Sequence, residues 1–463
     1  MGLVKHPRTA AALAAAAFVL AAGVAPAAAA PAARPSNTAL PGCGEHDAVR
    51  RALRTLADGD HLAGAAVEVT DPVCGRWSDA TGTADLDTGR PMTARDRLRV
   101  GSVTKTFTAT VVLQLAAEHR IDPEAPIDRY VPGLISGNGY DGRRITVRQL
   151  LQHTSGLPDY LDSLDWAHPE RLRYHHFEPR ELITRALGMP HPITPAGSSF
   201  HYATTNYLAA GLIIEKVTGR SAESEITRRI IRPLGLRDTS WPGDDPHLHG
   251  PHSHSYWVPE QAAGRTDGTD WNMTFAGTGG ALVSSPADLE HFFAALLGGR
   301  LLPPAQLAAM QDTVAADPDR LWPGARYGLG LISSPLRCGG VWWGHAGTVP
   351  GGHRALGAVG PGGRRVAVAL TQVPSTERAE EEFRGVVEAA LCEGRRPDRA
   401  PTTPARTDSV RTAPAQTDSA RTTPARTASA GTALVRTAPI LTTPIRTTSA
   451  RTTSDRTTEG DSA

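Results

Sequence analysis

The tetrad Ser102-Val103-Thr104-Lys105, entered through Leu98-Arg99-Val100-Gly101, is the stretch on which the reading of this chain turns. Behind it Phe107, Val111 and Leu115 recur every four residues with Thr108 and Val112 beside them. That spacing predicts a helix with one apolar stripe. Residues i and i+3 share a helix face, so the Lys105 amine falls within reach of the Ser102 hydroxyl. A serine at the start of that helix also feels its unpaired N–H groups, which favour developing negative charge. A hydroxyl nucleophile with an amine beside it is a compact acylation device. The S-x-x-K spacing alone equally describes a capped helix with a surface lysine, so it needs company.

Three downstream phrases supply it. Leu151-Gln152-His153-Thr154-Ser155-Gly156-Leu157 comes first, and Phe200-His201-Tyr202-Ala203-Thr204-Thr205-Asn206-Tyr207 precedes a helical run. His345-Ala346-Gly347-Thr348 follows Trp342-Trp343-Gly344 and leads into the turn-rich Val349-Pro350-Gly351-Gly352. Tyr327-Gly328-Leu329-Gly330-Leu331 stands before that last motif. In this order and spacing, from Glu45 to Cys392, the chain resembles the penicillin-recognising serine hydrolases. These include class C β-lactamases, low-molecular-weight DD-peptidases and related esterases. The likeness is greatest to secreted actinomycete D-alanyl-D-alanine carboxypeptidases.

The resemblance implies an α+β fold: an antiparallel sheet flanked by helices and built from both chain ends, with a mainly helical lobe inserted and the site between lobes. The residues agree with that layout. Ala65 to Val69, Thr81 to Asp85 and Val366 to Thr371 read as strands, and about 103 to 300 as mostly helix with long loops. Ser285 reads as a helix cap with Pro286 at the first turn, ahead of Asp288 and Leu289.

By resemblance the chemistry is acyl transfer through an acyl-enzyme on Ser102, with Lys105, Tyr202 and His345 as the other catalytic side chains. Lys105 is the nearest base and can serve once burial lowers its basicity; Tyr202 is the other candidate, as phenolate or proton shuttle. The backbone N–H groups of Ser102 and Thr348 are the expected oxyanion donors. Thr204, Trp271, Gly347 and Thr348 are the expected substrate contacts, with Gly347 letting the substrate approach its strand. Tyr160 and Trp166 are candidates for the opposite wall, and His153 for a place beneath the site. The mechanism needs no metal and no organic cofactor. His247, His249, His252 and His254 sit in a Pro-, Gly- and Asp-rich stretch that reads as a solvated loop.

Three departures bear on the substrate. The family's Tyr-x-Asn appears as Tyr202-Ala203-Thr204, with Asn206 two residues late. Ala346 stands where a threonine is common. Ile332-Ser333-Ser334 occupies the stretch where related carboxypeptidases carry arginines that would bind a peptide carboxylate, leaving Arg337 or Arg354 to compensate. The expected substrate is a small peptide, ester or amide, with a peptidoglycan stem peptide or a β-lactam among them. D-alanyl-D-alanine carboxypeptidase is the nearest activity. An esterase or D-amino-acid amidase, a class C-like β-lactamase and a low-turnover penicillin-binding or wall-binding protein are the alternatives.

Composition and the two ends set the context. Charges nearly cancel, at a formal net of +1, which argues against nucleic-acid binding. Residues 1–30 read as a secretory signal: Lys5 and Arg8, then an apolar run from Ala10 to Val24, then Ala27-Ala28-Ala29. A secreted product, extracellular or wall-associated, is expected, and a monomer. The serine hydrolase domain spans 37–395. Cys43, Cys74, Cys338 and Cys392 suit an oxidising compartment and allow three pairings. Related carboxypeptidases carry a disulfide at the positions of Cys338 and Cys392, so the resemblance implies that pair, which leaves Cys43 for Cys74; free buried thiols are the alternative.

Residues 396–463 are different material. Threonine recurs every fifth residue from Thr407 to Thr457, usually after arginine and two residues before serine or proline. Such a repeat carries too little apolar surface to offset the entropy of ordering and reads as a disordered tail. It is either a passive extension or a basic tether to anionic wall polymers. As a tether, it should hold the full chain on isolated cell walls more firmly than a chain ending at Arg395; equal retention in a sedimentation assay would leave it a passive extension.

Overall fold

The computed structural model describes Cys43 and residues 46–190, 194–257 and 264–395. The leader read at 1–30, the opening residues of the 37–395 domain and the tail at 396–463 lie outside the described residues.

The apolar runs near the two ends of the domain meet in one nine-stranded sheet. From edge to edge its strands are Val314–Ala315, Arg326–Tyr327, Ile332–Pro335, Val341–Thr348, Arg354–Val359, Arg365–Leu370, Gly64–Asp71, Gly75–Asp85 and Arg90–Pro91. Every pairing is antiparallel. Gly64–Asp71 pairs with Arg365–Leu370 in the register Val67↔Val368, so early and late segments close the domain side by side.

Side-chain alternation along these strands sorts the two faces. Val67, Leu356, Val366, Val368 and Leu370 pack with Leu53, Leu56, Phe383, Val386 and Leu391 of the helices Asp47–Gly59 and Glu377–Cys392. Ala66, Ala355, Ala367 and Ala369 point the other way and pack with Leu289, Phe292 and Phe293 of the helix Pro286–Leu297. Large residues on one face and small ones on the other let this helix lie close against the sheet. A Cβ at Gly357 would come within 2.7 Å of the Phe293 ring. Burying each such phenylalanine or leucine contributes roughly 1.5–3 kcal/mol. The helix starts where its cap was read: the Ser285 hydroxyl accepts from Asp288 N at 3.3 Å, with Pro286 in the first turn.

Between the end segments the chain is mainly helical. Its central element, the helix Thr104–Ala117, differs from the single apolar stripe expected of it. Residues Thr104 to Leu113, Leu115 and Ala116 are all buried, so the helix is enclosed on every side. Its threonines are tolerated there because each hydroxyl finds an acceptor. Thr106 donates to Gly330 O, Thr108 to Thr278 O and Thr110 to Thr106 O, each at 2.7 Å. These bonds replace the solvated face that the composition suggested. The bonds from Thr106 and Thr108 tie the helix to the segments at Gly330 and Thr278.

Disulfides join Cys43 to Cys74 and Cys338 to Cys392. The second fastens the turn before Val341–Thr348 to the end of the helix Glu377–Cys392. A loop of that size, 54 residues apart in sequence, restricts the unfolded chain by about 4 kcal/mol in the chain-entropy picture.

Candidate active site

Ser102 lies in a single tight turn, Gly101–Val103, that runs directly into the helix Thr104–Ala117. The Thr104 hydroxyl holds the turn, donating to Gly101 O at 2.7 Å and accepting from Leu282 N at 3.1 Å. Val100 N donates to Leu282 O at 3.0 Å, next to the two-stranded ladder of Leu98–Arg99 with Val283–Ser284. Ser102 is therefore fixed by two elements almost two hundred residues apart, rather than by the helix alone.

Two glycines bring this turn against the strand Val341–Thr348. Gly101 has φ +51°, and a Cβ there would sit 2.5 Å from Thr348 O. A Cβ at Gly347 would sit 1.9 Å from Val100 O and 2.8 Å from Ser102 N. The space expected beside Gly347 for substrate is filled by the protein's own Gly101–Val103 turn. The consequence is useful chemically: the backbones of Ser102 and Thr348 lie side by side, the arrangement an oxyanion site demands.

Lys105 Nζ lies 3.0 Å from Ser102 Oγ and donates to Gly279 O at 2.8 Å. Burial pulls this amine down to about 7, against the opposing pull of the Asp159 charge. The Tyr202 ring centroid lies 5.0 Å from Lys105 Nζ, and the Tyr202 hydroxyl reaches Ser102. Burial holds the Tyr202 phenol well above its usual range. Beneath it His153, with φ +59°, stacks on Tyr202 at 4.2 Å and accepts from Ala203 N at 3.2 Å. Asn206 turns away from Ser102: its Oδ1 accepts from Ser155 and its Nδ2 faces His153 Nδ1 at 3.1 Å.

His345 sits on the strand Val341–Thr348, 1% exposed. Its ring is engaged by Tyr327 Oη at 2.9 Å and by Ala346 O at 2.6 Å. Burial pushes this imidazole down to about 3, so it is neutral at physiological pH. Tyr327, which packs edge-on against Tyr202 at 6.0 Å, links the two.

Several expected substrate contacts are placed otherwise. Trp271 is a core residue, 1% exposed, packed against Phe275 and Trp166 rather than along a cleft wall. Tyr160 is fully buried with its hydroxyl donated to Phe275 O. Trp166 is partly buried, its indole donating to Leu161 O at 2.8 Å. Thr204 is 3% exposed, and its hydroxyl is donated to Asp159 Oδ2 at 3.3 Å instead of facing a ligand. In each case an apolar ring or a nearby acceptor competes successfully for the group. Ile332, Ser333 and Ser334 are buried as well. Arg337 points away and pairs with Glu388, whereas Arg354 Nη1 donates to the Thr348 hydroxyl at 2.9 Å.

Sequence reasoning missed Asp159 and the Gly279 carbonyl. The first signal was adjacency, since Pro158-Asp159-Tyr160 directly continues the Leu151–Leu157 phrase. A backbone carbonyl has no such signal. The histidines at 247 to 254 engage neighbours: His249 meets Asp245 at 2.6 Å and His254 meets Asp267 at 2.7 Å.

The family model described as Beta-lactamase matches residues 49–391. Among solved structures, a D-stereospecific amidohydrolase from Streptomyces sp. is 38% identical, with a TM-score of 0.68, covering 75% of this chain and 99% of that one. A D-amino acid amidase from Ochrobactrum anthropi SV3 is 26% identical, with a TM-score of 0.63, covering 74% and 97%. Esterase EstB of Burkholderia gladioli is 31% identical over 177 residues, 36% of this chain and 44% of that protein. The chain spans less than half the length of the curated relatives it matches.

The close approach of turn and strand makes a specific prediction. Gly347→Ala should separate the Ser102 and Thr348 backbones and lower turnover of an activated ester by about 100-fold, with circular dichroism unchanged. Undiminished turnover would mean that these two amides do not act together.

Proposed function

Since the chain belongs to the beta-lactamase family of serine hydrolases, we propose that it is an amidohydrolase acting through an acyl-enzyme on Ser102, with amides, peptides or esters of D-amino acids as substrates. The observation that carries this reading is the 3.0 Å approach of a buried, weakened lysine amine to a serine hydroxyl.

The catalytic cycle follows from the charge states. Lys105, free of its extra proton above about pH 7, takes the Ser102 proton as Oγ attacks the substrate carbonyl. Negative charge on the carbonyl oxygen is met by the N–H groups of Ser102 and Thr348. Tyr202 keeps its proton at neutral pH, which suits it to pass a proton from Lys105 to the leaving amine rather than to act as the base. Water then attacks the acyl-enzyme while the Lys105–Tyr202 pair takes its proton and passes it to Ser102 Oγ as the acyl–Oγ bond breaks, releasing the acid and restoring the serine.

The substrate class rests on two supports. The Streptomyces neighbour that matches almost end to end is a D-stereospecific amidohydrolase. The groups that related carboxypeptidases turn toward a peptide are here withdrawn: the Thr204 hydroxyl is held by Asp159, and Ile332 to Ser334 are buried. A D-alanyl-D-alanine carboxypeptidase is the second reading, favoured by the Arg354 guanidinium at 2.9 Å from the Thr348 hydroxyl, where it could meet a terminal carboxylate. The disulfides, together with the leader read at 1–30, support export. Among the described residues no helix is long and apolar enough to cross a membrane.

Hydrolysis of D-phenylalanine amide, a D-Ala-D-Ala peptide and a p-nitrophenyl ester, together with intact-mass analysis after penicillin exposure, separates these readings. Amide turnover that vanishes in Ser102→Ala supports the amidohydrolase. A stable penicillin adduct with D-Ala release and no amide turnover would replace it with the carboxypeptidase. The pH dependence of kcat/KM should rise with pH through about 7 as Lys105 loses its proton, so that about tenfold is lost between pH 7 and pH 5.7 or below. A profile flat from pH 5 to 8 would remove Lys105 as the base.

A further inference from the structure

Lys105 is fully enclosed, and its hydrogen-bond partners among the described residues are neutral: the Ser102 hydroxyl and the Gly279 carbonyl. The negative charge that acts on it comes from Asp159, on the loop between the Leu151–Leu157 phrase and the turn Tyr160–Ser163. Asp159 is 2% exposed. Its carboxylate accepts from Leu161 N at 3.3 Å and from the Thr204 hydroxyl at 3.3 Å.

Neighbouring bonds fix the geometry. Thr205 donates to Pro158 O at 2.6 Å and accepts from Tyr160 N at 3.1 Å, and Ser155 donates to Asn206 Oδ1 at 2.5 Å. Three consecutive residues after Ala203 thus clamp the Asp159 loop to the start of the helix Thr205–Thr218, which follows Tyr202. A Cβ at Gly279 would lie 2.5 Å from Thr204 Cγ2 and 3.5 Å from Lys105 Nζ, so the tether and the amine share one small space.

We propose that Asp159, held through the Thr204 hydroxyl, is a positioning residue whose carboxylate sets the pH at which Lys105 becomes the base for Ser102. This inference rests on the Ser102–Lys105 acylation reading above. It also accounts for threonine at the position where the family's pattern has asparagine: the short hydroxyl satisfies a buried carboxylate instead of a substrate carbonyl.

The remaining groups around Lys105 do not supply that charge. Tyr202 and Tyr207, with ring centroids 5.0 and 5.6 Å from Nζ, are held protonated by burial. His153, at the end of the Val147–Leu151 helix, and His345, on the strand, are held neutral by burial. Asp162 acts on Asp159 from the neighbouring turn, and Asp159 in turn helps burial keep Tyr160 protonated. Arg320 and Arg354 act on Tyr202, and a positive charge would disfavour a proton on the lysine rather than retain it. Burial lifts Asp159 to about 6, with Lys105 opposing, so it carries most of its charge at and above the pH at which Lys105 is half titrated.

The sign of the effect follows. A carboxylate near the amine stabilises the ammonium, so removing it frees the base form at lower pH. The experiment is the pH profile of Ser102 acylation by p-nitrophenyl acetate, followed as nitrophenolate release in the full chain and, with Ser102→Ala as control, by intact mass. Asp159→Asn should retain roughly five times more of its own plateau rate at pH 6 than the native protein does. Thr204→Val, which removes the hydroxyl but keeps the carboxylate and the backbone hydrogen bond from residue 204, should shift the profile the same way by less, and Thr204→Ser should restore it. A purely structural Asp159 would lower the rate equally at every pH; that result, with circular dichroism retained, overturns the inference. If Asp159→Asn does not fold, coincident profiles for Thr204→Val and Thr204→Ser overturn it. Acylation that persists in Ser102→Ala would sink the parent reading of the site, and this inference with it.

Discussion

An enclosed lysine amine is the constraint on which this site depends. Taking an ammonium out of water is costly unless an opposite charge or good hydrogen bonds compensate. Here the surroundings of Lys105 are a hydroxyl, a carbonyl and two aromatic rings, with Asp159 as its counter-charge. Burial therefore pulls the amine down to about 7, the state that the proposed activation of Ser102 requires. The closure of the helix Thr104–Ala117 on all sides is the structural means to this end. A helix with one solvated face would have left the lysine hydrated and fully charged.

That closure is built from two directions. The sheet brings both halves of the domain against the helical lobe, with small residues on the face that receives the helix Pro286–Leu297. Gly101 and Gly347 then permit the nucleophile turn to touch the strand Val341–Thr348. Neither contact tolerates a side chain, so the alignment of the Ser102 and Thr348 amides is a packing outcome as much as a catalytic one. The Cys338–Cys392 disulfide lies at the other end of the same strand's hairpin and limits how far that strand can drift.

The residues expected to meet a substrate acquire a common sense in three dimensions. Thr204, Tyr160 and Trp271 are residue types able to meet a ligand, yet each is absorbed by an interior partner. Their partners are a loop carboxylate, a backbone carbonyl and an aromatic cluster. Arg354 moves the opposite way. It is an interior-sheet arginine paired with Glu380, yet it delivers a guanidinium edge to the Thr348 hydroxyl.

The order and spacing of the motifs around Ser102, Tyr202 and His345 were enough to identify the family, and the strand runs near both ends of the domain were enough to place the sheet. Both are local signals: a three-residue offset on a helix, or alternation along a strand, is set by backbone geometry that the sequence carries with it. The cap at Ser285 was legible for the same reason. Only the tertiary structure decided which groups face the nucleophile. Asp159 stands more than fifty residues from Lys105 in the chain, the Gly279 carbonyl has no side-chain signature, and Trp271 reads alike in a cleft or a core. Burial and long-range proximity are properties of the packed fold, and they determine the charge of Lys105, the protonation of Tyr202 and the neutrality of His345.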